Sequence, residues 1–432
     1  MMDTILFPKR DSWEGLCKRP QLNSENLDKP VKKILEKVKS GGDKALIEYA
    51  LLYDKVTVTD LKVSKAEVRN AVSVIPEDLK KAITLASENI EKFHRRQVFS
   101  EKPVVTTSGV RCWRKSVPFD TVGLYIPGGS APLFSTVLML AIPAKIAGCR
   151  RVILCTPPGH DGKVNPLILY AASLSGISEI FRTGGAQAIA AMAYGTETIP
   201  AVGKIFGPGN QYVTKAKELI QAEGVAIDMP AGPSEVLVIA DEKADPGFVA
   251  ADLLSQAEHG PDSQVVLLTD SKELIEDTLL EIDRQLKDLP RKSIAAYALM
   301  NSICILMGDL EECLEFSNLY APEHLIINTV NAPELAENVL NAGSVFIGKF
   351  SCESAGDYAT GTNHTLPTNG YAKAFSGVSV ESFMRKVSFQ ELTRKGLENI
   401  GPAIELMAEA ESLAGHARAV SIRLKGNDGK AR

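Results

Sequence analysis

The chain has 432 residues, 45% hydrophobic and 23% charged, which supplies apolar mass for about two to four domains with buried cores and excludes a disordered or fibrous protein. Its 48 Lys and Arg against 53 Asp and Glu leave a formal net charge of -5, which argues against a nucleic-acid partner, since such binders carry a basic excess. The seven cysteines are scattered, odd in number and without a CxxC pair, so they read as reduced thiols in the cytoplasm and not as a disulfide framework.

The opening Met1-Met2-Asp3 has no basic stretch leading into an apolar core, so no secretory signal is expected. Over 27–97 the pattern is helical: Val31, Ile34, Leu35 and Val38 recur at three and four, and a Gly41-Gly42 break precedes a second amphipathic run to Tyr53. A longer helix follows Pro76, with Leu79, Ile83, Leu85, Ile90 and Phe93 as its apolar positions, so this part is expected to be a helical layer with a solvated charged face. After Thr121 short strands alternate with helices. Residues 122–126 end in Pro127-Gly128-Gly129, 151–155 in Thr156-Pro157-Pro158-Gly159, 179–182 near Gly184-Gly185-Ala186-Gln187 and 204–206 in Gly207-Pro208-Gly209-Asn210. Such a βαβα series implies a parallel sheet with helices on both faces. The stretch 131–144 is the most apolar, but Ser135, Thr136 and two prolines interrupt it and it stops at Lys145, so no membrane span is expected. A second series, 235–240, 264–269, 303–307, 325–328 and 345–347, predicts another α/β unit in tandem with the first. Beyond Val380 the pattern returns to helix through 391–400 and 403–413, and the polar tail 425–432 is expected to be loose.

Glycine turns between strand and helix leave N–H groups free at a helix N-terminus, which attracts phosphates and carboxylates. Three occur, at Gly128, Gly184 and Gly207. None completes GxGxxG, and singly each is better explained as a turn that needs glycine for its backbone angles. Four of the six histidines, His259, His324, His364 and His416, lie in the second half beside carboxylates or amides. Gln256 and His259 stand three apart at the end of a helix beginning near Pro246, a spacing that puts both on one face, where two ligand atoms can converge on a metal. Asp357 and His364 belong to a stretch from Glu353 that is nearly free of apolar residues and rich enough in glycine for a tightly shaped loop. One histidine alone is more often structural than a ligand; the set together supports a mixed N/O zinc site, although no standard local motif is formed. Glu323-His324 leads directly into the strand 325–328. A carboxylate and an imidazole there can serve as base for water and base for a hydroxyl, and a solvated surface turn accounts for the pair equally well.

With these residues the sequence resembles the histidinol dehydrogenase family. The resemblance runs through nearly the whole chain on GLYIPGGSAPLFSTVLMLA from Gly123, GGAQAIAA from Gly184, KIFGPGN from Lys204, AIDMPAGPSEVLVIAD from Ala226, DLLSQAEHGPDSQ from Asp252, PEHLI from Pro322 and ESAGDYATGTNH from Glu353. It implies an α/β fold of two tandem incomplete Rossmann-like parallel-sheet domains with helical N- and C-terminal extensions. Residues 1–24 and 104–124 are then an arm and connecting segment, 25–103 with 234–378 the α/β domain carrying metal and acid/base residues, 125–233 the Rossmann-like NAD-binding domain, and 379–432 a helical dimerisation segment. The implied activity is the four-electron oxidation of L-histidinol to L-histidine through L-histidinal, the last steps of histidine biosynthesis, with NAD and one Zn²⁺ per subunit. The implied zinc ligands are Gln256, His259, Asp357 and, from the other subunit of a homodimer with shared active sites, His416. Glu323 and His324 are the implied acid/base pair, His324 for the alcohol and Glu323 for the water. Implied substrate contacts are Ser234, Gln256, His259, Glu323, His324, Asp357, His364, Glu411 and His416, and implied cofactor contacts Tyr125, Gln187 and Asn210. Cys112, Cys149 and Cys155 raise a thiohemiacetal route, disfavoured because none is paired with a base at a helix terminus. Two other classes are a zinc hydrolase acting through Glu323-His324 without NAD and a catalytically dead binding relative, the latter opposed by the presence of every motif residue.

Overall fold

The computed structural model describes residues 2–20, 27–128, 132–230 and 232–425; Gly129 of the first glycine turn and the tail 426–432 lie outside them. The strands in chain order are β1 (Asp3–Leu6), β2 (Val104–Thr107), β3 (Val110–Pro118), β4 (Thr121–Tyr125), β5 (Arg151–Thr156), β6 (Glu179–Arg182) and β7 (Lys204–Phe206). They continue as β8 (Ala226–Ile227), β9 (Glu235–Ala240), β10 (Gln264–Thr269), β11 (Ile303–Leu306), β12 (His324–Asn328), β13 (Ser344–Ile347) and β14 (Met384–Leu392). Two compact units result, Met1–Gln97 with Phe119–Phe383, and Val98–Pro118 with Met384–Arg432.

The first unit holds two parallel sheets. One has the order β6-β5-β4-β7-β8, which is the strand order of a dinucleotide-binding unit and reverses direction between β4 and β7. The other has the order β1-β11-β10-β9-β12-β13, with the same reversal between β9 and β12. All six residues of β9 and of β10 are buried, as strands covered on both faces require, so they read as unbroken apolar runs and not as alternation. β1 pairs with β11 in register Asp3 to Ile303 and extends the second sheet, so residues 3–6 of the expected arm are an edge strand.

The N-terminal helices form a layer within the first unit. In the helix Asp28–Tyr49, Val31, Ile34, Leu35 and Val38 share one core with Ile153, Ala186, Ala190 and Ile205, so this layer packs on the five-stranded sheet. The Gly41-Gly42 break is a kink within that helix: Gly42 has φ 51, and a Cβ there would lie 2.2 Å from the Glu197 carboxylate. In the helix Glu77–Arg95 the buried face is Ile83, Ala86, Ile90 and His94, while Leu85 and Phe93 of the expected apolar set are exposed.

The second unit also corrects the sequence reading. Residues 384–392, which were expected to lead into helix, form β14 in an antiparallel sheet of order β14-β3-β2. Pairing with β3, which includes a Trp113–Phe389 stack at 5.4 Å, holds the segment extended, and helix begins only at Arg394, where Thr393 caps the Gly396 N–H. The helices Arg394–Ala410 and Ala414–Lys425 complete this unit.

Candidate active site

The helix Pro246–Ala257 starts on Asp245, whose side chain accepts from the N–H groups of Gly247 and Phe248, with Pro246 in the first turn. Val249, Ala250, Leu253 and Leu254 bury one face, which carries Gln256 into the interior at the last turn. His259 lies two residues past the helix end and is exposed; its N–H donates to the Gln256 carbonyl at 3.2 Å, so a tight turn and not one helical face keeps the two together.

Glu323 precedes β12 and His324 is its first residue, paired in register with Val236 on β9. They are only 7% and 3% exposed, which removes the solvated-turn alternative. Both lock onto the Glu235 peptide at the start of β9. Glu323 Oε2 accepts from the Glu235 N–H at 2.9 Å and from Gln256 Nε2 at 3.3 Å. Gln256 Nε2 also lies 3.1 Å from the Glu235 carbonyl and 3.2 Å from His324 Nδ1, which is itself 3.2 Å from that carbonyl. His324 Nε2 faces Asp357 Oδ1 at 3.6 Å. Burial alone pulls the His324 ring down, but the Glu323 charge and the Asp357 carboxylate outweigh it and hold the ring well above its ordinary range.

Asp357 sits on a helical turn, Glu353–Tyr358, where a shaped loop was expected; the turn places Glu353 and Asp357 four residues apart on one side. One ligand atom each of His259, Glu353 and Asp357 lie within 4.8 Å of one another. Burial pushes Asp357 up, yet the rings of His324, His364 and His259 bring its carboxyl down to about 2. Burial and the Asp357 charge push Glu353 up to about 8. Glu353 Oε2 accepts from Ser255 Oγ at 2.6 Å, whereas Glu353 Oε1 and Gln256 Oε1 are buried without a hydrogen-bond partner among the described residues. Two orphaned oxygens beside a histidine and a carboxylate form a donor set that fits zinc. Glu353 is missing from the sequence-derived ligand set, although its four-residue spacing from Asp357 was a usable signal.

His364 Nδ1 lies 3.0 Å from the Asp357 carbonyl and Nε2 lies 3.1 Å from Thr136 Oγ1; burial lowers its pKa, so a neutral ring fits both contacts. Arg19, also missed from sequence, donates through Nε and Nη2 to the two Glu235 carboxylate oxygens at 3.0 and 2.9 Å, with its guanidinium 3.4 Å over the Tyr320 ring. It anchors the residue whose peptide aligns Gln256, Glu323 and His324.

A cavity of about 1200 Å³ is lined by Tyr125, Gln187 and Asn210 together. It meets a second, of about 830 Å³, at Tyr125 and Asn210, and that one is lined by Ser234 and His259. The two sheets present opposite strand ends here: Tyr125 closes β4, while Ser234 and Glu323 precede β9 and β12. Tyr125 Oη accepts from the Gly185 N–H at 3.1 Å, and Asn210 Oδ1 caps the helix Gln211–Ala222. The intervening turn needs its glycine: Gly207 has φ 125, and a Cβ would lie 2.0 Å from the Tyr125 carbonyl oxygen. Buried Lys217 and Asp228, an ion pair, hold the Gly207 carbonyl and N–H at 3.0 and 2.8 Å. Glu411 and His416 belong to the second unit, Glu411 ending the helix Arg394–Ala410 and His416 lying in Ala414–Lys425, both exposed. Cys149 is pushed by burial up to about 11 and fully buried Cys155 higher still, so neither is a ready thiolate. No helix among the described residues is long and apolar enough to cross a membrane.

The family model for histidinol dehydrogenase matches residues 17–424. The histidinol dehydrogenase of Bacteroides thetaiotaomicron is 59% identical over 424 residues, covering 98% of this chain and 99% of the relative. That of Escherichia coli K12 is 52% identical over 412 residues, covering 95% and 94%. A crystal structure of histidinol dehydrogenase from Elizabethkingia anophelis, 56% identical, superposes with a TM-score of 0.96 over 98% of both chains. With the family model spanning almost the whole sequence and relatives of this identity aligned end to end, the chain belongs to the histidinol dehydrogenase family.

Proposed function

We infer that Glu323 and His324 divide between them the proton transfers of the family reaction. That reaction is the last two steps of histidine biosynthesis, the NAD-dependent oxidation of L-histidinol through L-histidinal to L-histidine, and the family uses Zn²⁺. When bound, the ion supplies open coordination positions that fix the substrate's imidazole and amine; Gln256, His259 and Asp357 would hold it, with Glu353 beside them and His416 from a second subunit. NAD, the hydride acceptor in both steps, would lie along the cavity of Tyr125, Gln187 and Asn210. Losing a hydride is easier for an alcohol as its proton leaves, and His324 takes that proton. The aldehyde is oxidised as its hydrate, and Glu323 takes a proton from the attacking water. Ser234 and His364 orient the substrate. The observation that carries this reading is the convergence of Gln256, Glu323 and His324 on one buried peptide, Glu235, next to the two orphaned oxygens.

The test counts product. Complete oxidation gives two NADH for each L-histidinol consumed, with little free aldehyde in solution, read by absorbance and by trapping the aldehyde. One NADH with accumulating aldehyde defeats the four-electron assignment, and substrate turnover without NAD would favour the hydrolase alternative.

Glu411 and His416 reach the site, in this proposal, from the second unit of a partner chain, making a homodimer with shared active sites in the cytoplasm, in keeping with seven unpaired cysteines. Random remixing of inactive His259→Ala and His416→Ala chains then recovers ~a quarter of wild-type activity, because about half the dimers are mixed and each has one intact site of two. No recovery after verified subunit exchange refutes the arrangement.

A further inference from the structure

The five-stranded sheet has the strand order of a dinucleotide-binding unit but lacks one of that unit's contacts. In such folds a carboxylate near the end of the second strand accepts hydrogen bonds from the adenosine ribose hydroxyls. The second strand here is β5; it ends in Thr156, and Pro157-Pro158-Gly159 follow without an acid. The cavity at the carboxyl ends of the sheet instead receives a carboxylate from outside it, Asp54.

Asp54 is the last residue of a wide helical turn, Ala50–Asp54, which continues the helix Asp28–Tyr49 and is stopped by Lys55 at φ 60. The turn is not loosely placed. Tyr49 and Ala50 are buried in the same core as Ile189 and Tyr125, so the helix fixes Asp54 against the sheet that builds the cavity. Asp54 Oδ2 is shielded from water and has no hydrogen-bond partner among the described residues, and the same holds for Thr156 Oγ1 on the same cavity. Burial without donors pushes the Asp54 carboxyl up. Orphaned oxygens of this kind call for a ligand that brings hydroxyl donors. The other carboxylate on the cavity, Asp161, is exposed, and its Oδ1 already accepts from the Lys163 N–H at 3.0 Å. Among the described residues lining the cavity there is no arginine; Lys163 is its one lysine, beside Asp161.

We propose that Asp54 is a specificity-determining residue that accepts the adenosine ribose hydroxyls of NAD and excludes a dinucleotide carrying a 2′-phosphate. This rests on reading the cavity as the NAD site. The acid does the work of the missing strand-end carboxylate from a different element, and a phosphate in place of the 2′-hydroxyl sets like charges against each other at a shielded position.

The test is calorimetric titration of the zinc-loaded full-length protein with NAD and with NADP, so that binding and not turnover is read. Wild type is expected to bind NAD at least ~100-fold more tightly than NADP. Asp54→Asn is expected to weaken NAD ~10-fold and to tighten NADP, bringing the ratio toward one, with an unchanged thermal midpoint. Asp54→Ser gives the same readout if the amide disturbs the turn. Unchanged affinities in folded Asp54 variants of an enzyme that binds NAD overturn the role of Asp54 and leave the cofactor site standing. A ratio moved by Asp161→Asn and not by Asp54→Asn assigns the reading to the wrong acid and also overturns it. Absence of NAD binding in wild type defeats the cofactor reading itself, and this inference with it.

Discussion

His324→Ala lowers the rate of NADH formation from L-histidinol by ~10²-fold or more, the usual worth of a positioned general base. The same loss is expected when L-histidinal is supplied directly, because the ring stands between the Glu323 and Asp357 carboxylates, at 3.6 Å from each, and its removal disturbs both. Glu323→Gln behaves differently. A glutamine oxygen can still accept from the Glu235 N–H and Gln256 Nε2, so the local scaffold is kept while the ability to accept a proton is lost. It therefore slows L-histidinal oxidation by ~10²-fold and the first step less. Single-turnover rates for the two substrates, with thermal midpoints as the control for folding, separate these outcomes. Small and equal losses in both variants would remove the pair from the chemistry and leave it as a buried structural contact.

Chelation abolishes activity and added Zn²⁺ restores it, while His259→Asn lowers bound metal when the protein is passed through a desalting column. His259 is exposed, so its replacement removes a donor without opening a cavity, and the metal content measured by atomic spectroscopy reads ligation directly. Glu353→Gln is a useful companion. Its Oε1 is one of the orphaned oxygens, and loss of its charge weakens metal retention if the carboxylate supports the ion. Full activity at substoichiometric metal falsifies the zinc assignment.

The central strands were legible because burial on both faces demands continuous apolar runs: EVLVIA and QVVLLT have few other readings. β14 was not, since MRKVSFQEL carries exposed charges and its extended form depends on pairing with β3 across more than two hundred and fifty residues of chain. At the site, the resemblance supplied most of the residues, and the physics of spacing supplied fewer. Gln256 and His259 were recognisable three apart, although a turn and not a helix face joins them. Glu323-His324 was ambiguous until burial decided it. Thr136 and Arg19 escaped because each acts through a partner remote in sequence, which local spacing does not show, whereas Glu353 carried a usable signal in its four-residue spacing from Asp357.

The place of β1 at the edge of its sheet governs how the chain must be assembled during synthesis. Asp3 pairs with Ile303, so 300 positions (303 − 3) separate β1 from its one neighbour among the described residues. At ~5–20 residues per second, translation leaves that strand waiting on the order of 15–60 s. The five-stranded unit, complete at Ile227, can close in the meantime, whereas β1 has nowhere to dock until β11 has settled on β10. Ile5 and Leu6 stay unpaired on the nascent chain throughout, a stretch for chaperones to shield, and a chain that stops short of β11 leaves β1 without a strand to pair with.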